Sequence, residues 1–565
     1  MRLKGVILSM VCAGGLFAVG TACAATPEEA LADLEQTANY GKQLKEMLGE
    51  RARNVSSGGQ FIINLGEKWD KIKPVLGNAL KQGVAPREVL PEVEALLEPN
   101  KSPSVVVTNG SNPASAHDNF SNFGGFTQSE TSVAWWNTTA IAAFNDSGSF
   151  MFTSLFTVNG GNKSFNGWAR STNANLATPT WTDMGALVPP ALTGGDKRDA
   201  FGDPVARSTR ASTFYQASLG NFRSASGNLS EIIVFRSTNG GITFPVCTRA
   251  ASGPVATTFL DKEWMAVKPG SAPSTDILHV VYTRFVGSVT NIEYVRSING
   301  GATWSAPFVM QTVSGSSFLQ FGMVAIRPGT STVYCAWEQF ASGTGIRTMR
   351  IKQSINNGAT WGPTVNIGTI ARSGDGFALD FLQGIFRSGM EFSGLAVNPV
   401  NGHVYVCYHQ GEFTTPDPFG SGGLYRYSGI YFSRSINGGA TWSAPIRVNN
   451  DAVASPFDQY QPGMAVTSSG KIGIQFYDRR SSGLNFNIQR FYASSINDGA
   501  TWTNSPRTGL FPPIGADQDV FVNPVYMGDY DDPAADSSNT NITNIIGAFQ
   551  ATPGGNQDVF AEKLP

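Results

Sequence analysis

One eight-residue segment constrains this chain more than any other feature, because it recurs. Ser297-Ile-Asn-Gly-Gly-Ala-Thr-Trp304 returns unchanged at Ser435–Trp442, and with a single substitution at Ser354–Trp361 and Ser495–Trp502. A looser copy spans Ser237–Phe244 and a degenerate one Ser171–Trp181. Their closing aromatics are 63, 60, 57, 81 and 60 residues apart. Each copy sits between two β-like runs and reads as a hairpin turn. The Asn side chain accepts from N–H groups of its own turn, glycine supplies an unusual backbone angle, and the aromatic packs beneath. Self-similarity at such a period means one supersecondary unit per repeat.

A second periodic element lies upstream of each copy. It appears as Thr131–Ala134, Asp203–Ala206, Trp264–Val267, Gly322–Ala325, Gly394–Val397 and Gly463–Val466, with a further candidate at Tyr526–Tyr530. More apolar runs follow most of these, among them Ala140–Phe144, Leu278–Tyr282, Thr332–Trp337 and Lys471–Tyr477. The order strand A, strand B, strand C, turn, strand D in units of about 40–70 residues is that of propeller blades. Seven A runs predict an all-β, seven-bladed β-propeller, with six blades as the alternative. The seventh unit, ending at Asp558–Lys563, lacks an outer strand, and Ser104–Thr108 is available to supply it and close the ring.

The repeated segment resembles the Asp-box, or bacterial neuraminidase repeat, Ser-x-Asp-x-Gly-x-Thr-Trp, with Asn in the Asp position. By box and blade pattern, residues 104–565 resemble the sialidase superfamily. The resemblance implies a propeller whose boxes lie away from the active face. It also implies an arginine clamp on the substrate carboxylate, a Tyr–Glu nucleophile and an Asp acid/base. The chain departs from that pattern: no arginine occurs between Arg87 and Arg170, so the first blade offers none to a clamp. Arg284, Arg479 and Arg480 are the clamp candidates elsewhere and Tyr477 the nucleophile candidate. The departure argues against sialidase activity proper.

Composition divides the rest. Residues 26–100 carry 21 charges in 75 positions, against 58 in the 464 residues from 102 onward. The first part reads as helix: Thr26-Pro27-Glu28-Glu29 offers a cap, a proline and acids for a first turn. Further helices are predicted over Phe61–Leu80 and from Pro86 to Leu97. A segment this small is marginal as an independent core. It is expected to dock on the larger part, serve as a pro-segment or hold a protein partner. Before it, Arg2, Lys4, the apolar run Val6–Val19 and Ala22-Cys23-Ala24 read as a signal peptide over residues 1–25, predicting export to periplasm, cell surface or medium. Of the five cysteines, Cys247, Cys335 and Cys407 lie in strand-like runs at spacings that suit neither a disulfide framework nor a zinc site. No cofactor or metal is called for. A net charge of −2 argues against a nucleic-acid partner, and no later apolar run is long enough for a transmembrane segment.

In a propeller the D-to-A and B-to-C connections share one face. The 81-residue interval places both long insertions of the fifth unit, 372–389 and 411–427, on that face, where function usually sits. A-strand starts bring Glu130, Asp203, Asp261, Lys262, Glu263, Glu391, Gln461 and Asp529 there. B-strand ends bring Asn145, Arg284, Glu338, His409, Tyr477, Asp478, Arg479 and Gln550. Carboxylates around one axis suit glycoside hydrolysis or the grip of sugar hydroxyls. The expected catalytic residues are Asp203, Glu263, Glu338 and Tyr477. The expected substrate contacts are Glu130, Lys262, Arg284, His409, Arg479 and Asp529. The partner implied is a carbohydrate or glycoconjugate, recognised at this face, with hydrolysis there left open. The alternative is a non-catalytic glycan- or protein-binding propeller, or an assembly factor.

Overall fold

The computed structural model describes residues 26–82, 115–116, 127–155, 159–341, 346–373, 390–416, 424–483, 485–512, 527–552 and 557–565. The expected leader, the third helix and the strand at 104–108 lie outside these residues.

Seven sheets of four or five strands form the body. In chain order, blade 1 starts at Gln128–Trp136, blade 3 at Thr258–Lys268, blade 4 at Phe318–Ile326, blade 5 at Phe392–Val397 and blade 6 at Gln459–Val466, each strand innermost in its sheet. Innermost strands of successive blades pack side by side around the full circle. The fold is the seven-bladed β-propeller that the repeats predict. Two blades depart from the simple order. In blade 2 the innermost strand is broken into Lys197–Ala200 and Val205–Arg210, both paired with Thr213–Arg223, because Pro204 lacks an N–H and Gly202 and Asp203 take left-handed backbone angles. In the last blade the innermost strand shrinks to Ala534–Ala535, while Asp531–Asp532 pairs in parallel with Thr131–Ser132 of blade 1. The outer strand of that blade is Ser115–Ala116, paired with Phe560 and Val559. First and last strands thus share a sheet, and the ring has no open edge at its seam.

The repeated turns hold blade to blade. In the copy at Ser297, Asn299 Oδ1 accepts from the Thr303 N–H (2.9 Å), Asn299 Nδ2 donates to Thr303 Oγ1 (2.8 Å), and Ser297 Oγ accepts from the Gly301 N–H (2.9 Å). The degenerate copy keeps the Asn–Thr latch across a longer loop, Asn173 to Thr180. The closing aromatic then packs edge-on against a ring of the preceding blade: Phe244 on Trp168, Trp361 on Tyr294, Trp502 on Phe432. An arginine immediately before the box serine reaches in the opposite direction. Arg170, Arg236, Arg296 and Arg434 donate to carbonyls of Gly240, Gly300, Asn357 and Asp498 in the next blade's turn, at 2.6–2.9 Å. These arginines are partly buried, and hydrogen bonds from charged donors are stronger than neutral ones.

Two helices precede the propeller: α1, Pro27–Leu48, and α2, Ser57–Gln82. Thr26 and Glu29 form the predicted capping box of α1. The pair crosses closely at Gly41 and Gly66, where a Cβ on Gly41 would stand 1.9 Å from the Ile62 carbonyl oxygen. The hairpin docks on the loop-bearing face over blades 1 to 3, and its apolar residues share one core with those of blades 2 to 5. Phe61 packs against Phe165 and against Phe150 of a third helix, α3 (Ser147–Leu155), in the B-to-C connection of blade 1. Tyr40 stacks on Phe201.

Arg296→Ala is expected to lower the unfolding free energy by about 1–3 kcal/mol, the worth of a charged hydrogen bond. Asn299→Asp, which keeps the acceptor of the turn, should stay within about 0.5 kcal/mol of the parent. Chemical denaturation of the two variants beside the parent chain checks both.

Candidate functional site at the axis

The site arises from a backbone irregularity repeated around the ring. In blades 1, 3, 4 and 6 two residues of the innermost strand oppose one residue of the second strand. The first residue of each bulge has a left-handed backbone: Glu130 (φ 52°), Lys262 (50°), Phe321 (58°) and Gln461 (52°). Asp203 (57°) takes the same angle at the break in blade 2. None is glycine, so each costs about 1–2 kcal/mol. The bulges re-aim side chains from several blades onto the axis.

Lys262 is the hub. Its Nζ lies 3.0 Å from Asp529, 3.4 Å from Glu130 and 3.5 Å from Asp203, and 4.7 Å from the centre of the Tyr530 ring. Glu130 also accepts from the Asp529 N–H and from Asn145 Nδ2, both at 2.9 Å. Asn145 Oδ1 in turn accepts from the Asp203 N–H (2.8 Å). All these side chains are buried. Burial and the neighbouring Asp203 push the Glu263 carboxyl well above the usual range. Burial raises Asp203 too, against the pull of Lys262. Asp261 is pushed up to about 6 by burial, although it accepts from the Ser56 N–H at the head of α2 and from Gln320 Nε2.

A second group lies between blades 4 and 5. Burial and the adjacent Glu391 hold Glu338 well above the carboxylate range; the two carboxyls are hydrogen-bonded to each other, and Arg347 pairs with Glu391. Burial raises Glu391 as well, against the pull of Arg347. His409 adjoins this pair through its backbone, donating to the Glu391 carbonyl (2.9 Å). Burial and Arg347 push its ring down to about 3, so it is neutral, with Nδ1 accepting from the Gln461 N–H.

The structure thus brings Glu130, Asp203, Lys262, Glu263 and Asp529 together, and places Glu338 and His409 in the second group. Tyr477 lies between blades 6 and 7, where its hydroxyl donates to Asp531 (2.7 Å) and accepts from the Gln550 N–H (3.1 Å). Arg284 donates to Glu293 (2.8 Å) on blade 3. Arg479 is buried beside Asp458. Arg347 and Asp531 were not singled out by sequence. Arg347 opens a third strand, where no periodic signal marks it, and Asp531 follows an irregular seventh repeat.

The helical hairpin covers this face over blades 1 to 3. Among the described residues, an open groove of about 510 Å³ lies elsewhere, at the outer edge between blades 2 and 3, lined by Arg249, Trp304 and Pro307. Also among the described residues, no group of three His, Cys, Asp or Glu is arranged to hold a metal ion, and no helix is long and apolar enough to cross a membrane.

No family model and no curated protein matches the chain. Similar solved structures include a protein of unknown function from Dyadobacter fermentans (14% identity, TM-score 0.38, 78% of this chain and 95% of that one). They also include a Penicillium chrysogenum alpha-L-arabinanase complexed with arabinobiose (15%, 0.35, 62% and 89%) and an ulvan lyase of a new polysaccharide lyase family (9%, 0.41, 78% and 94%). At this level of likeness the chemistry of the site rests on its own residues.

Two outcomes test the electrostatics. Lys262→Met strands several buried carboxylates and should cost about 3–5 kcal/mol at pH 7, with part of the loss recovered at pH 5 as they protonate. Asp261 and Asp531, the latter pushed up to about 7 by burial, ionise less readily folded than unfolded. Their contribution is present below about pH 4 and lost as pH rises through about 6–7. The melting temperature should therefore fall from pH 5 to pH 8, and less steeply in Asp261→Asn.

Proposed function

We propose that this propeller recognises a carbohydrate at its loop-bearing face and hydrolyses a glycosidic bond there. The observation that carries the reading is the Glu338–Glu391 pair. Glycoside hydrolysis needs one carboxyl that is protonated at the working pH and one that is charged, about 5 Å or more apart, so this hydrogen-bonded pair would part to admit the sugar. Burial and Glu391 hold the Glu338 carboxyl well above the usual range, while Glu391, raised by burial too, has Arg347 beside it to favour its charged form, and the two stand on adjacent blades. Glu338 would protonate the leaving oxygen, and Glu391, oriented by Arg347, would act as base or nucleophile. Glu130, Asp203, Lys262 and Asp529 would grip hydroxyls or a charged substituent. The leader at residues 1–25 fits export, where polymeric glycans are met.

Burial of every one of these groups under or beside the hairpin favours a second reading, in which the closed form is a binding or assembly propeller without turnover. Both are tested by screening the full chain, and the same chain with Phe61→Ala to loosen the hairpin, against a glycan array and chromogenic glycosides over pH 4–8. Hydrolysis that drops 10²–10⁴-fold in Glu338→Gln with binding retained is the outcome expected of a general acid. Binding without turnover in either parent sinks the hydrolytic reading and leaves the second.

A further inference from the structure

The hairpin meets the propeller through more than apolar packing. Asp33 of α1 inserts its carboxylate among three cations of the loop-bearing face. Lys163 Nζ lies 3.0 Å away, Lys197 Nζ 3.3 Å, and Arg223 pairs with it through Nη1. Lys163 also donates to the Asp33 carbonyl and to Thr37 Oγ1, each at 3.0 Å. These three cations come from the propeller alone, and they are preassembled. Arg223 is fixed by Asp199 in a two-pronged pair at 2.7 and 2.9 Å, and the same Asp199 accepts from the Lys163 N–H. On the propeller side three cations and the single acid Asp199 thus face the Asp33 carboxylate. Burial opposes charge on Asp33, yet Lys163, Arg223 and Lys197 together hold its carboxyl well below the usual range.

Beside the cations lies an apolar platform. Phe150, Phe165, Phe201 and Phe259 are covered by the hairpin through Phe61, Tyr40 and the two glycines Gly58 and Gly59. A Cβ on Gly58 would stand 1.9 Å from the Phe201 carbonyl oxygen, so the backbone of α2 itself lies on the platform. Next along, the Ser56 N–H reaches Asp261, the neighbour of Lys262. One element therefore spans cations, aromatic rings and axial carboxyls. An apolar lining with a few convergent polar groups is the composition of a ligand site.

We propose that the hairpin is an intramolecular stand-in for substrate, whose Asp33 occupies a subsite built from Lys163, Lys197 and Arg223 for the carboxylate of an acidic sugar. The platform would hold the sugar rings once the hairpin has moved. The assignment rests on the carbohydrate reading above and adds to it a substrate class, uronate-bearing oligosaccharides, and a means of keeping the site shut. Guanidinium and ammonium groups around a planar carboxylate supply the geometry that such a residue needs.

Two variants of the full chain loosen different contacts: Phe61→Ala the apolar seat, and Asp33→Asn the ionic one. Hydrogen exchange reads the lid and titration with an oligogalacturonate reads the subsite, with a neutral xylo-oligosaccharide of equal length as the comparison. Amides of α1 and α2 should exchange at least tenfold faster in both variants while the blade strands keep their protection. Affinity for the oligogalacturonate should rise at least tenfold over the parent chain, and adding Lys197→Gln should abolish most of that gain. Lys197 is a third exposed, so its loss is tolerable to the fold. Unchanged exchange of the helices in both variants overturns the lid. Faster exchange with equal affinity for both oligosaccharides, indifferent to Lys197→Gln, overturns the anionic subsite and leaves the carbohydrate reading standing. Faster exchange with no oligosaccharide bound sinks that reading and the substrate class with it.

Discussion

A bulge in the innermost strand is the constraint on which the axial site depends. Strands in a propeller run side by side toward the axis, and a regular ladder would alternate their side chains between the two neighbouring blades. Two residues opposing one, the first left-handed, break that alternation at the loop-bearing end of blades 1, 3, 4 and 6. The side chain released from the sheet turns inward. Glu130, Lys262 and, from the break in blade 2, Asp203 meet in this way although up to 132 residues separate them.

Such a strained ring needs a stiff frame. The frame is supplied on the opposite face, where the turns are latched internally by Ser, Asn and Thr, and where several are held to the blade before them by an aromatic ring, an arginine or both. Where both contacts occur, as at Ser354–Trp361, they fix the tilt and the spacing of adjacent blades. Cohesion through local, repeated joints is what allows the seventh blade to be short and irregular. Its four strands are completed by Ser115–Ala116, and its connection to blade 1 is doubled by the parallel pair at Asp531–Asp532.

The blade count was legible because the turn chemistry is local: Ser, Asn, Gly and Thr at fixed offsets can be read without knowing what surrounds them. The gathering of Glu130, Asp203, Lys262, Glu263 and Asp529 was legible for the same reason, since each precedes or opens a periodic strand. What sequence did not reveal is pairing. Arg284 ends a second strand as Glu338 does, yet it has Glu293 across its own sheet and is spent there. Tyr477 stands at the corresponding end in blade 6, but Asp531, contributed by the irregular last repeat, takes its hydroxyl. The arginine before four of the six repeat serines recurs in the sequence, but its role depends on a carbonyl in the next blade. The covering hairpin follows from tertiary packing alone: amphipathic helices announce that they dock, and not where.

Phe321 decides between two explanations of the buried charges. It occupies in blade 4 the left-handed position that Glu130, Lys262 and Gln461 occupy in blades 1, 3 and 6. An apolar ring is therefore compatible with the bulge, and the backbone does not require a polar occupant. Buried ion pairs are commonly no more stable than apolar side chains of similar size, and each imposes a desolvation cost. Had stability alone shaped the axis, residues like Phe321 would serve in every blade. Instead one lysine is surrounded by acids from three other parts of the ring, and Glu263 is placed where burial and Asp203 raise its carboxyl well above the usual range. A lysine ringed by carboxyls of unequal proton affinity is an arrangement suited to binding and acid/base chemistry. The docked hairpin adds to this balance, since its Ser56 N–H satisfies Asp261 and its Asp33 offsets positive charge at the rim.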